Sequence, residues 1–140
     1  MYIRLFSRFL ASNDTLQVYK DRKLLFASNR GGLLPLLEYI DSSAYHSGAV
    51  IFDRVMGNAA ALLAVKAGCR EVYSPLGSQL AIRTLRKYGV RHHLTVTVPC
   101  IQKPDGNGMC PMEKLSIGRE PEEFYEIISN TVRFPEGGKQ

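Results

Sequence analysis

The segment that most constrains this chain is the apolar run Gly48-Ala49-Val50-Ile51-Phe52 together with the Ala/Leu-rich stretch that follows at 58–67. A strand built only from apolar residues has no face to offer water, so it belongs in a sheet covered on both sides. The stretch after it places Ala59, Ala60, Ala61, Leu62, Leu63, Ala64 and Val65 on nearly every side of a helix. Such a helix is buried all round, here against the sheet, and Gly68 stops it. A buried strand feeding a buried helix is the centre of a layered α/β domain. At 140 residues the chain can enclose one core of this kind and not two.

The rest of the sequence arranges itself around that unit. Tyr2, Phe6, Phe9 and Leu10 mark one face of a short N-terminal amphipathic helix. Period-two alternation over 15–20, a tight turn at Asp21-Arg22 and a second run at 23–28 predict a β-hairpin. Helical spacing covers 33–40, with Pro35 in the first turn, where a missing N–H costs little. A short strand at 71–74, an amphipathic helix at 78–88 and a strand at 92–98 follow, the last stopped by Pro99. A Gly/Pro-rich loop fills 103–111, and a final helix spans 121–132 with Glu122 and Glu123 in its first turn, where the dipole favours them. The order α-β-β-α-β-α-β-α-β-loop-α predicts a three-layer α/β/α sandwich on a mixed five-stranded sheet. It is one domain over 1–140, with an N-terminal helix at 1–12, the core at 13–132 and a tail at 133–140.

Composition excludes several classes. Apolar residues make up 45% of the chain, too many for disorder, and no apolar run is long enough to span a membrane. Arg4 and Arg8 interrupt the N-terminal apolar stretch, and no export signal is read there. Three unevenly spaced cysteines make no disulfide framework and point to a reducing, cytoplasmic setting. The net charge of +5 is segmented: residues 1–34 carry +4, residues 72–104 carry +5 with no acid, and residues 105–140 carry −3. That pattern fits complementarity within the chain or between subunits of a homo-oligomer as readily as an external anion. Arg83, Arg86 and Lys87, helix-spaced, are the best candidate nucleic-acid patch, although such a trio commonly marks a solvated helix face.

Two constellations can carry chemistry. Asp53-Arg54-Val55-Met56-Gly57-Asn58 joins the buried strand to the buried helix. Ligands of open α/β sheets bind beyond the carboxyl ends of strands, near helix N-termini. Asp53 can there take a proton or accept from a ligand hydroxyl or amine, or else cap the following helix. Gly57 permits close backbone approach, and the amides from Asn58 onward could face an anion. The second is the loop from Asp105 to Lys114, whose glycines, Gly108 among them, imply a required backbone shape. Its Cys-Pro-x-Glu turn offers Cys110 as nucleophile, metal ligand or buried hydrophobe, and Glu113 as acid/base or ion-pair partner.

Other candidates are weaker. His92 and His93 alternate faces on a strand, so at most one points inward. His46 falls in a loop, Cys69 follows a helix-ending glycine and reads as packing, and Cys100 follows Pro99. Neither H-x-E nor P-C-x-x-C occurs, so the zinc-deaminase signature is missing.

The element order, the stretch Asp53 to Leu63 and the turn Gly108-Met109-Cys110-Pro111-Met112-Glu113-Lys114 resemble an uncharacterised prokaryotic family placed by fold in the cytidine-deaminase-like superfamily. The resemblance covers roughly residues 13–131. It implies a deaminase-like α/β/α architecture with a site near Asp53, Cys110 and Glu113. In the zinc enzymes of that superfamily two helices open with the metal-binding motifs, where this chain has Arg30-Gly31-Gly32-Leu33 and Met56-Gly57-Asn58-Ala59-Ala60. The resulting expectation is a nucleotide- or nucleoside-like ligand bound without catalytic zinc or other cofactor. Asp53, Cys110 and Glu113 are the candidate catalytic groups, and Gly57, Asn58 and Gly108 the candidate ligand contacts. The alternative is a non-enzymatic, oligomeric or nucleic-acid-associated module using the basic 72–104 segment.

Overall fold

The computed structural model describes residues 2–42 and 47–133. Helix α1 (Ile3–Ala11) leads into the hairpin β1 (Leu16–Lys20) and β2 (Lys23–Ser28), then α2 (Leu34–Asp41) and β3 (Val50–Asp53). Strand β4 (Val55–Met56) and α3 (Asn58–Lys66) follow, then β5 (Glu71–Ser78), α4 (Gln79–Lys87), β6 (Arg91–Val98), α5 (Pro111–Ser116) and α6 (Pro121–Arg133). β1 pairs antiparallel with β2 and β3, while β3, β4 and β6 all run parallel to β5. The sheet is therefore mixed, with the antiparallel hairpin at one edge and β6 at the other.

Alternation along the strands divides the core in two. Leu16, Val18, Ile51 and Val72 face α2, α3, α4 and α6 in the larger cluster, which takes in Leu63, Leu85, Phe124 and Ile128. Tyr19, Val50, Phe52 and Tyr73 face the other way, onto Phe9 of α1 and Tyr2 just before it. A helical layer thus lies on each face of the sheet. α3 is buried along nearly its whole length, as its composition requires.

The structure adds two elements to those read from the sequence, and Pro75 accounts for one. β3 and β4 keep the same register against β5: Phe52 pairs with Tyr73 and Val55 with Leu76. Arg54 thus falls opposite Pro75, which has no N–H for the ladder, so a single strand path is broken there. The sheet has six strands because of this interruption, and β5 continues past Pro75 to Ser78, whose hydroxyl accepts the Ala81 N–H at 3.0 Å to cap α4. The second addition is α5. It begins where the Gly/Pro-rich loop closes as a narrow hairpin, with Cys110 N–H donating to Ile101 O at 2.8 Å and Lys103 N–H to Gly108 O at 2.9 Å. His46 and the tail from 134 onward lie outside the described residues. Among the described residues no helix is long and apolar enough to cross a membrane.

Candidate functional site

A cleft of about 270 Å³ opens at the carboxyl end of β3, where the starts of α2, α3 and α5 converge. Asp53, Gly57, Ile101, Cys110 and Glu113 line it together with apolar side chains such as Leu33, Val55 and Met112. Asp53 owes its place to the end of the sheet: Leu16 of β1 pairs with it, and the chain then bends at Arg54 opposite Pro75.

Removal from water pushes the Asp53 carboxyl up to about pH 8 in its titration, outweighing the backbone N–H groups of Arg54 and Val55 that favour the charged form. The Arg54 N–H donates to Asp53 Oδ1 at 2.8 Å. Its guanidinium, one residue away, is committed elsewhere. It donates to the carbonyls of Phe9 and Ser12 at 2.8 Å, Asp14 at 2.9 Å and Leu10 at 3.3 Å. It also lies 4.4 Å from the centroid of the Phe9 ring. Arg54 thus clasps the C-terminus of α1, where unpaired carbonyls favour a cation.

Glu113 is only 2% exposed, and both its oxygens are occupied. Oε1 accepts the Asn58 N–H at 2.6 Å and Oε2 the Ile101 N–H at 2.9 Å. The carboxylate therefore supplies the negative charge that the N-terminus of α3 favours. Gly57 is required by the same contact, since a Cβ there would stand 2.7 Å from Glu113 Oε1 and 2.9 Å from Ile101 Cγ1. Asn58 turns inward, donating to Ser116 Oγ at 3.0 Å and Ser116 O at 3.2 Å and accepting from the Thr84 hydroxyl.

The structure thus brings Asp53, Gly57, Cys110 and Glu113 to one cleft. Asn58 does not present its amide or side chain there as anticipated, because Glu113, Ser116 and Thr84 take both. Gly108 is also displaced from the anticipated ligand contacts: at φ +115 it shapes the hairpin and does not line the cleft. Half-buried Cys110 forms the N-cap position of α5. Cys69 is buried, and burial pushes its thiol up to about 12, in keeping with packing. His92 and His93 stand on β6 away from the cleft; His93 Nε2 lies 2.6 Å from Glu71 Oε2 and its ring stacks on Tyr73. Thr15, Leu33, Ile101 and Met112 also line the cleft, and no motif in the sequence marks them. Position just before a strand or helix was the available signal for Thr15 and Leu33, while Ile101 and Met112 depend on how the loop folds back.

The zinc of the deaminase superfamily does not fit these residues. Among the described residues no three His, Cys, Asp or Glu side chains converge to hold a metal. The two helix starts present Gly32-Leu33 and Gly57-Asn58-Ala59-Ala60, and both Glu113 oxygens are already bonded to amides.

A family model described as a domain of unknown function, DUF1893, matches residues 6–132. The chain belongs to the DUF1893 family. A crystal structure of a DUF1893 family protein from Thermotoga maritima is 25% identical, superposes with a TM-score of 0.83, and is matched over 92% of this chain and 88% of its own. A diaminohydroxyphosphoribosylaminopyrimidine deaminase/5-amino-6-(5-phosphoribosylamino)uracil reductase from Thermotoga maritima is also similar, at a TM-score of 0.53 and 11% identity. That match covers 95% of this chain and 42% of the other, and it shows a deaminase-like fold and nothing finer. Among curated proteins nothing matches. This DUF1893 chain therefore has a deaminase-like fold.

Proposed function

We propose that the cleft binds a small, uncharged heterocycle of nucleobase or nucleoside type, with Asp53 as the group that reads it and exchanges a proton with it. The observation that carries this reading is the place of the Asp53 carboxyl, half-buried in an apolar cleft with no cation partner among the described residues, a setting that pushes it up to about 8. At neutral pH it is largely protonated, so it can donate one hydrogen bond and accept another, matching a lactam-like ring edge. The apolar walls suit a planar ring. The one Lys or Arg side chain lining the cleft among the described residues is Arg54, and its guanidinium is spent on α1. A ligand phosphate would thus meet no available cation, which favours the nucleoside over the nucleotide. Cys110 lines the same cleft and is the candidate nucleophile toward a bound ligand, whereas Glu113 acts through α3 as a positioning residue. The three free cysteines support a reducing, cytoplasmic setting.

Thermal-shift screening of nucleobases, nucleosides and nucleotides tests the proposal. A ligand at 100 times its dissociation constant adds about 2.7 kcal/mol to stability. Bases or nucleosides should raise the melting temperature of the wild type and not that of Asp53→Ala. No shift with any of them, or an equal shift in Asp53→Ala, overturns the reading. A second reading, nucleic-acid association, is favoured by the exposure of Arg83, Arg86 and Lys87 on α4. It requires binding that weakens steeply with salt and with Arg83→Glu plus Lys87→Glu.

A further inference from the structure

At the far end of the sheet from Asp53, α1 and the β1–β2 turn enclose a second groove. Leu16 pairs with Asp53 but Tyr19 pairs with Val50, so the turn at Asp21-Arg22 projects past the start of β3. The groove, about 490 Å³, is lined among the described residues by Ile3, Arg4, Leu5, Arg8 and Arg22 and by no acidic residue. Arg4 and Arg8 sit one helical turn apart on an exposed face of α1, and neither has an ion-pair partner among the described residues. Like charges at this spacing repel, and helix α1 holds no acid to offset them.

The third arginine is held in place by its backbone. Asp21 and Arg22 both have positive φ, +52 and +66, the geometry a two-residue hairpin turn demands and glycine or asparagine usually supplies. The Arg22 N–H donates to the phenol oxygen of Tyr2 at 2.9 Å, and the Tyr2 ring is 2% exposed within the aromatic cluster beneath α1. The turn carrying Arg22 is therefore tied to the start of the helix that presents Arg4 and Arg8.

We infer that this groove is an anion site that takes the phosphate or diphosphate group of a small ligand. Guanidinium forks match phosphate oxygens in pairs, and a bound anion relieves the repulsion between Arg4 and Arg8. Ile3, 68% exposed, and Leu5 give the organic part of such a ligand an apolar wall. The groove is concave and has, among the described residues, no aromatic lining on which successive bases could stack, so a small phosphorylated molecule fits it better than a nucleic-acid strand. The site is separate from the Asp53 cleft and does not rest on the reading of that cleft.

The test titrates the intact chain with inorganic pyrophosphate, sodium chloride at matched ionic strength, and a single-stranded oligonucleotide, following backbone amide shifts. Pyrophosphate should give saturable shifts confined to α1 and the β1–β2 turn. Its affinity should fall by about tenfold or more in Arg4→Gln/Arg8→Gln and in Arg22→Gln, and stay unchanged in Asp53→Asn. Equal shifts with chloride, undiminished binding in both arginine variants, or salt-sensitive binding of the oligonucleotide alone would each overturn the assignment.

Discussion

The buried carboxylate of Glu113 accepts the backbone N–H of Asn58 at 2.6 Å, so the six-residue helix α5 fixes the first residue of α3. The other oxygen holds the Ile101 N–H at 2.9 Å, which ties in the loop as well. One wall of the cleft depends on this single side chain. Glu113→Ala leaves two amides without their acceptor and should cost about 2–4 kcal/mol, since hydrogen bonds to charged groups are worth more than neutral ones. Glu113→Gln, which retains one acceptor oxygen, should cost less. Urea denaturation of both variants measures the difference.

Gly57 reports on the same contact from the other side. Gly57→Ala places a methyl group 2.7 Å from Glu113 Oε1 at an ordinary backbone φ of −82, so its cost is steric. A loss of about 1–3 kcal/mol is expected. Because Glu113 is the nearest obstacle, Gly57→Ala combined with Glu113→Ala should cost less than the sum of the two single changes.

Asp53 gives stability a definite dependence on pH. Its carboxyl is harder to ionise in the folded chain than in the unfolded one, so the folded state holds the proton more tightly. The Asp53 contribution is therefore fully present below the unfolded carboxylate range, near pH 3.8, and declines until about 8. Asp53→Asn removes this decline. The variant should gain on the wild type as the pH rises across that interval, and chemical denaturation at several pH values follows the gain.

Arg54 anchors α1 rather than the cleft. Arg54→Ala removes the clasp on four carbonyls and the contact with the Phe9 ring. A loss of about 2–3 kcal/mol is expected. Hydrogen exchange should show α1 amides losing protection before those of β3 and β5.

The three thiols should separate by reactivity. Cys69 is buried and burial holds its thiol neutral far above physiological pH, whereas Cys100 and Cys110 are half-buried. A native thiol-labelling assay should find two faster groups and one slow group, and Cys110→Ser should remove one of the faster two.

What the sequence made legible was set by local pattern. The apolar run 50–52 and the all-apolar 59–65 could only be a covered strand and a buried helix, and the hairpin followed from alternation about Asp21-Arg22. β4 was illegible because two residues carry no period; it exists through its register against β5 on the far side of Pro75. α5 lay behind a glycine-rich loop, although Pro111 and Glu113 at its start were the available signals. Asp53 was visible as a strand-end acid. That Glu113 is occupied by amides, Asn58 by Ser116 and Thr84, and Arg54 by α1 depends on contacts between residues 26 to 58 apart in the chain.

Asp53 holding a proton at neutral pH is the central claim, and carbon-13 NMR titration of its carboxyl measures this directly, with Asp53→Asn assigning the resonance. A midpoint near 8 is expected. A midpoint in the ordinary carboxylate range, near 3.8, would contradict it.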